Sequence, residues 1–376
     1  MRRSGPGALL AFALLSMAFA LAGCKKAQQI ETVAEFGSRQ CAGVAVSAGG
    51  RIFVSFPRGS RDVDVSVAEV LADGSFVAYP DGAWNSWKPT DDPRQKFVSA
   101  ESVWSDPIGG AETLWVLDAA NPRLEGVVTN GAKLVRIDLA TNQVTRNIRF
   151  ESRYVPSESR LADVRVDAGR GFAYITDSGL GALLVADLNT GRCRRVLEGH
   201  VSTRAEAGLR PVIGGTAWDE ADRNLARAHA DGIALSADGE WLYFKATAAR
   251  TLYRIATVKL RNFSMPDSLL AEGAESLGGS VVSGGMVMDR AGNLYVAALE
   301  KDAVVRRAPN GTMKTVIADP RLAWPHSLAL SPEGDLYVTV SQMHLLPRSG
   351  AEDGLNRPPC RLFRAPRAAA SPAEPK

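Results

Sequence analysis

Along the body of this chain, short runs of alternating apolar and polar residues come in pairs. Each pair is an apolar strand pattern, a Gly-containing turn and a second strand rich in aromatic residues. The copies lie at 43–57, 101–119, 163–178, 231–247, 285–300 and 327–342. Alternation with period two across Asp-Gly or Gly-Asn turns predicts β-hairpins. Third strands are predicted at 134–140, 183–189, 252–257 and 304–309, and fainter fourth strands at 143–151 and 313–319. One such sheet cannot bury both of its faces alone. Six copies at a spacing of about 60 residues therefore predict sheets stacked around an axis. The expected fold is all-β, a six-bladed β-propeller. The last copy lacks an outer strand, since only 360–366 follows it. Residues 30–37 alternate in the same way and are expected to close the ring beside 360–366, removing an open sheet edge.

The pattern lapses at 199–230, a polar stretch with Gly214-Gly215 and a helix-like segment at 219–229. It reads equally as a binding loop or as a surface excursion. The Ala/Pro/Ser-rich tail, 367–376, reads as disordered. At the other end, Arg2 and Arg3 precede an apolar run at 8–22 that ends in Leu21-Ala22-Gly23-Cys24. The run has signal-peptide length and is too short to span a bilayer. Its end resembles the bacterial lipobox, which implies cleavage before Cys24 and lipidation of its sulfur. Two or three acyl chains suffice for stable anchoring. Lys25, where an Asp would signal inner-membrane retention, points to the outer membrane. The expected organisation is a lipoprotein signal peptide at 1–23, lipidated Cys24 with a linker to 29, the propeller at 30–366 and the tail. The expected location is the cell envelope, facing the periplasm.

Composition changes this picture little. The net charge is +3, and removing Arg2 and Arg3 leaves +1. No basic stretch is interleaved with aromatics, so nucleic acid is not an expected partner. A monomer is expected, with the membrane as partner through the lipid. Besides Cys24, the cysteines are Cys41, Cys193 and Cys360, whose spacing fits no zinc pattern. An oxidising compartment allows one disulfide among the three. Cys41 and Cys360 flank the expected seam of the ring and are the expected pair, with Cys193 left over.

Propeller strands alternate in direction, so first-strand starts and second-strand ends share one face. The starts, nearest the axis, are Cys41, Glu101, Asp163, Asp231, Gly284 and His326. The second-strand ends add Asp118, Asp177, Lys245 and Gln342. The ligand-binding set expected here is Glu101, Asp118, Asp163, Asp177, Asp231, Lys245, His326 and Gln342, with His326 and Asp231 as the proton-transfer candidates. Gathered carboxylates raise one another's pKa or recruit a cation, and imidazole titrates near neutrality. Asp231-Gly232 and Asp177-Ser178-Gly179 also read as turns. Trp324 reads as packing.

Several phrases together resemble the yellow/major royal jelly protein family in its bacterial branch. They are LWVLDAANPR at 114–123, KLVRIDLATNQVT at 133–145, YITDSGLGALLVADLNTGR at 174–192, ADGIALSADGEWLYFK at 230–245, GNLYVAA at 292–298 and WPHSLAL at 324–330. The resemblance implies a six-bladed propeller with an axial pocket for small aromatic amines, and for some members dopachrome conversion. The chain departs from the bacterial pattern at Ala162-Asp163 where relatives read Asn-Asp, at Gly284-Gly285 for Asp-Gly, and at Pro325-His326 for Pro-Asp. The pocket has therefore lost two polar groups and exchanged a carboxylate for an imidazole.

The expected function is an envelope lipoprotein that binds, or slowly converts, a small aromatic or amine compound. If it is an enzyme, a dopachrome-type tautomerase or isomerase is one form and a lactone hydrolase the other. No cofactor is implied by the first form. A metal-dependent lactonase of the gluconolactonase type would hold a divalent cation on Glu101, Asp163 and Asp231. A non-catalytic envelope scaffold is the third reading.

Overall fold

The computed structural model describes residues 30–59, 62–105, 112–218, 228–345 and 359–367. Cys24, the expected signal peptide, most of 219–229 and the tail beyond 367 lie outside them. Among the described residues are six four-stranded antiparallel sheets, one for each predicted copy, in a propeller arrangement. Blade one is Val44–Val46, Ile52–Ser55, Val67–Val70 and Phe76–Ala78. Blade two is Ala100–Trp104, Thr113–Asp118, Lys133–Asp138 and Gln143–Arg149. Blade three is Leu161–Asp167, Phe172–Asp177, Ala182–Asp187 and Cys193–Val196. Blade four is Ala230–Leu235, Trp241–Ala246, Thr251–Ala256 and Glu275–Gly279. Blade five is Ser283–Met288, Leu294–Ala298, Ala303–Arg307 and Met313–Ala318. Blade six takes Pro325–Leu330, Leu336–Val340 and Arg361–Ala365 from one end of the chain and Glu31–Glu35 from the other. Glu31 pairs with Arg364 and Glu35 with Arg361, the pairing expected for 30–37 with 360–366.

Strand alternation explains the packing. In Thr113–Asp118, Leu114 and Val116 pack towards blade one, while Trp115 and Leu117 pack towards blade three. Both faces are buried, so the strand reads as a continuous apolar run. An apolar cluster fills each of the six gaps between neighbouring blades. At the gap between blades six and one, Ala34, Phe36 and Leu362 meet Val44, Val54 and Phe56. A buried Phe contributes about 1.5–3 kcal/mol, so Phe36 is the main apolar anchor of the N-terminal strand.

The two expected seam cysteines lie close together, and Cys360 adds to the burial that holds the Cys41 thiol pKa well above its ordinary value. Cys41, Cys193 and Cys360 are all buried. The sulfur of Cys41 turns to the Gly43 carbonyl at 3.9 Å, and that of Cys360 to the Ser341 carbonyl at 4.0 Å. The seam between them is closed by backbone pairing. The Phe36 N–H donates to the Cys360 carbonyl, and the Cys360 N–H to the Gly37 carbonyl, each at 2.9 Å.

Two local devices shape the hub. In blades two to six the pairing of first and second strands slips near the axis. The slips fall at Ala100/Ser102, Leu161/Val164, Ala230/Gly232, Ser283/Met286 and Pro325/Leu328. Such bulges re-aim a side chain, and here they bracket Glu101, Ala162, Asp231, Gly284 and His326. The second device is a row of hydroxyls. Ser55, Thr176 and Thr339 accept the N–H groups of Gly43, Asp163 and Ser327 in their own blades, at 2.9, 3.1 and 2.9 Å. They donate to the carbonyls of Glu101, Asp231 and Ala42 in the next blades, at 2.8, 2.8 and 2.9 Å. The backbones of Glu101 and Asp231 are thereby held from the blade before.

Candidate functional site

The bulges open onto a cavity of about 100 Å³ on the axis, lined by Glu101, Ala162, Asp231, Gly284 and His326. A narrower continuation below it reaches Ser102, Asp163 and Gly285. Of the residues expected from the sequence, Glu101, Asp231 and His326 share the cavity. Asp163 does not stand level with them. It lies one step further along its strand, where the bulge at Ala162 carries it deeper. Its Oδ1 accepts from Ser102 Oγ at 2.7 Å, the Val164 N–H at 2.8 Å and Arg165 Nη1 at 2.8 Å. The sequence expectation placed Asp163 one register too shallow and overlooked Arg165.

The second-strand ends serve the scaffold. Asp118 is fully buried, pairs with Lys133 Nζ at 2.6 Å and accepts the N–H groups of Val98, Ser99 and Ala120. Asp177 is its counterpart in blade three, pairing with Arg195 at 2.8 Å and accepting from Arg160 and Gly179 N–H groups. Neither lines the cavity, because all their acceptor directions are used to shape the loops that follow. Lys245 stands in the register of Thr176 and Thr339 and is wholly buried, its Nζ donating to the Ala246 carbonyl at 2.7 Å. Gln342 lies just past the last second strand and donates to the Pro359 carbonyl at 3.3 Å.

Electrostatics separate the roles of the three cavity groups. Burial pushes the Glu101 carboxyl up to about 8. The charges of Asp231 and Asp163 add to this, and Arg160 opposes it. Glu101 keeps some accessible surface where it lines the cavity. At neutral pH it is chiefly a carboxylic acid and can donate a hydrogen bond. Burial also raises Asp231, with His326 and Lys245 opposing the shift. Lys245 is brought down to about 7 by burial, against the pull of Asp231 and Glu206. His326 Nδ1 lies 3.1 Å from the Ala42 carbonyl, which can only accept, so the proton is on Nδ1. Nε2 of the neutral ring is then an acceptor.

The sequence reading missed part of the wall. Trp218 and Trp324 both line the cavity, with ring centroids 4.7 Å apart. Trp324 has φ +62°, a left-handed conformation rare for a bulky side chain. Its place directly before Pro325-His326 was the available signal. Trp218 belongs to the 199–230 stretch, whose Val212–Ile213 and Thr216–Ala217 form a small hairpin. This stretch supplies cavity wall through Ile213, Trp218 and Ala228. Thr247, beside Asp231, also lines the cavity, and its hydroxyl helps hold the Asp231 carboxyl down against burial.

The family model for major royal jelly proteins matches residues 102–353. The chain belongs to the major royal jelly protein family. The match includes Asp163, Asp231 and His326, and Glu101 stands one residue before it. The family's propeller here agrees in fold with solved structures of low identity. A gluconolactonase from Xanthomonas campestris is 14% identical, with TM-score 0.53, over 90% of this chain and 89% of that one. A luciferin-regenerating enzyme is 12% identical, with TM-score 0.52, over 89% and 94%. A Bacteroides thetaiotaomicron protein of unknown function is 10% identical, with TM-score 0.55, over 89% and 74%. No curated protein matches the sequence.

Two of the carboxylates expected to hold a divalent cation are engaged in other ways. Asp163 is spent on Arg165 and Ser102, and Glu101 holds its proton at neutral pH. Among the described residues no three His, Cys, Asp or Glu side chains converge as a metal-binding group.

Proposed function

We propose that this protein binds a small aromatic compound, neutral or bearing one amine, in the axial cavity on the bulge face of the propeller. The carrying observation is that two indoles, Trp218 and Trp324, share one cavity with Glu101, Asp231 and His326. Aromatic walls with a few convergent polar groups are the usual make-up of a small-molecule site. The expected crowd of three like charges is absent, because Arg165 neutralises Asp163 and Glu101 is protonated at neutral pH. A neutral aromatic therefore enters without a charge penalty, and an ammonium enters by displacing the Glu101 proton. Glu101 can give a proton while His326 Nε2 takes one, so slow tautomerisation of a bound enol or quinone belongs to the same reading. In this reading the propeller is held at the envelope through lipidated Cys24.

Thermal unfolding with a panel of aryl amines, indoles, phenols and aliphatic acids tests this. A ligand that binds only the folded state raises the melting temperature, by an amount that grows with the logarithm of its concentration relative to its dissociation constant. Aryl amines, indoles or phenols should stabilise and aliphatic dicarboxylates should not. Stabilisation by the dicarboxylates alone would end the proposal.

A further inference from the structure

The far end of the propeller axis holds a second and larger cavity, of about 250 Å³. It lies where the first strands finish and their hairpin turns begin, away from Glu101, Asp231 and His326. Val46, Val166, Val287 and Leu330 give it apolar walls. Its inner end is made by Trp104 and Arg165, the guanidinium 4.6 Å from the indole centroid. Arg165 also holds Asp163, so this pair stands between the two cavities.

Two groups at that inner end are incomplete. Trp104 Nε1 and Arg165 Nε are buried N–H donors with no acceptor. Buried donors are paired in nearly every folded protein, so each of these two N–H groups can take an acceptor. The charges around the cavity point to its type. Arg165, Arg170 and Arg290 line it alongside Asp167, Asp238 and Asp289, leaving no sign in excess. The carboxylates are also occupied within the protein: Asp167 accepts from Arg170, Asp238 from Ser236, and Asp289 from Asn293. The volume, just under the usual range for drug-sized ligands, suits one or two rings.

We propose that this second cavity binds a flat, neutral aromatic molecule bearing a carbonyl oxygen. The ring lies between the valine walls and the oxygen accepts from the N–H groups of Trp104 and Arg165. This site is independent of the one proposed on the opposite face.

The test uses acetophenone as probe and ethylbenzene, of similar shape without the oxygen, as its control. Dissociation constants come from ligand-detected NMR on the full mature chain. Acetophenone should bind at least ten-fold tighter than ethylbenzene. Trp104→Phe, which keeps the ring and removes the N–H, should shrink that ratio at least three-fold. Ala237→Trp, at an exposed position on the mouth, should abolish binding of both. Equal affinity for the two probes, an unchanged ratio in Trp104→Phe, or full binding in a folded Ala237→Trp variant would each overturn the proposal.

Discussion

Arg165 Nη1 donates to Asp163 Oδ1 at 2.8 Å, and the same oxygen accepts from Ser102 Oγ at 2.7 Å. A carboxylate that the repeat pattern assigns to ligand binding is thus consumed inside the hub. Breaking one side of a buried pair leaves an uncompensated charge and costs about 3–5 kcal/mol. Arg165→Met should lower unfolding stability by that amount. The double variant Arg165→Met with Asp163→Leu should recover most of it. Denaturant unfolding measures both, and a single-variant loss within experimental error would show that the pair is solvated.

Glu101 makes stability depend on pH in a direction opposite to an ordinary ion-paired carboxylate. Its folded pKa of about 8 lies above the unfolded value, so the folded protein holds a proton that the unfolded chain has lost. That contribution to stability is present at low pH and declines as pH rises from about 4.5 to 8. Glu101→Gln should gain on the wild type between pH 5 and 8, by on the order of 1–3 kcal/mol. Parallel stability curves for the two proteins would contradict the assignment.

Lys245 works in the other direction. Burial holds it near 7 in the folded protein, below its unfolded value, so the unfolded chain carries the extra proton between about pH 7 and 10.4. Wild-type stability should rise with pH across that window. Lys245→Met should lose this rise, gaining on the wild type as pH falls from 10 to 7. Chemical denaturation at a series of pH values measures the difference, and a constant difference would place the Lys245 ammonium in water.

The Thr176 hydroxyl bridges blades three and four through the Asp163 N–H and the Asp231 carbonyl. Thr176→Val keeps the shape and leaves both backbone groups unpaired, a cost of about 1–3 kcal/mol. Because the bridge fixes the backbone of Asp231, ligand affinity should fall along with stability. A stability loss with affinity unchanged would confine Thr176 to a scaffold role.

The sequence carries the fold clearly and the site only partly. Doubly buried strands such as Thr113–Asp118 produce apolar runs, and Gly-containing turns mark their ends, so the six hairpins are legible. The outer strands Phe76–Ala78 and Glu275–Gly279 are short or exposed and leave little apolar signal. Glu101, Asp231 and His326 are legible because strand direction brings their ends to one funnel. The depth of Asp163 is not, because a bulge shifts the register by one residue without changing the alternation that surrounds it. The roles of Asp118 and Asp177 are hidden for a different reason. An aspartate at a strand end looks the same whether it faces a ligand or caps a loop, and only its backbone partners distinguish the two.

An amine ligand entering the axial cavity must meet a protonated Glu101 at neutral pH. Its ammonium should therefore expel close to one proton on binding at pH 7, and none well above the Glu101 pKa of about 8. Calorimetric enthalpies in two buffers of different ionisation heat count the protons. An equal enthalpy in both buffers at pH 7 would remove Glu101 from the amine site.

The central claim is that the bulge residues and the indoles form one small-molecule site. The most direct measurement is a calorimetric titration of 2-phenylethylamine into the wild type and into Asp231→Asn at pH 7. Saturable one-to-one binding to the wild type is predicted, with affinity at least ten-fold weaker in the variant. A wild type that shows no saturable binding, or a variant that binds equally well, would contradict the account.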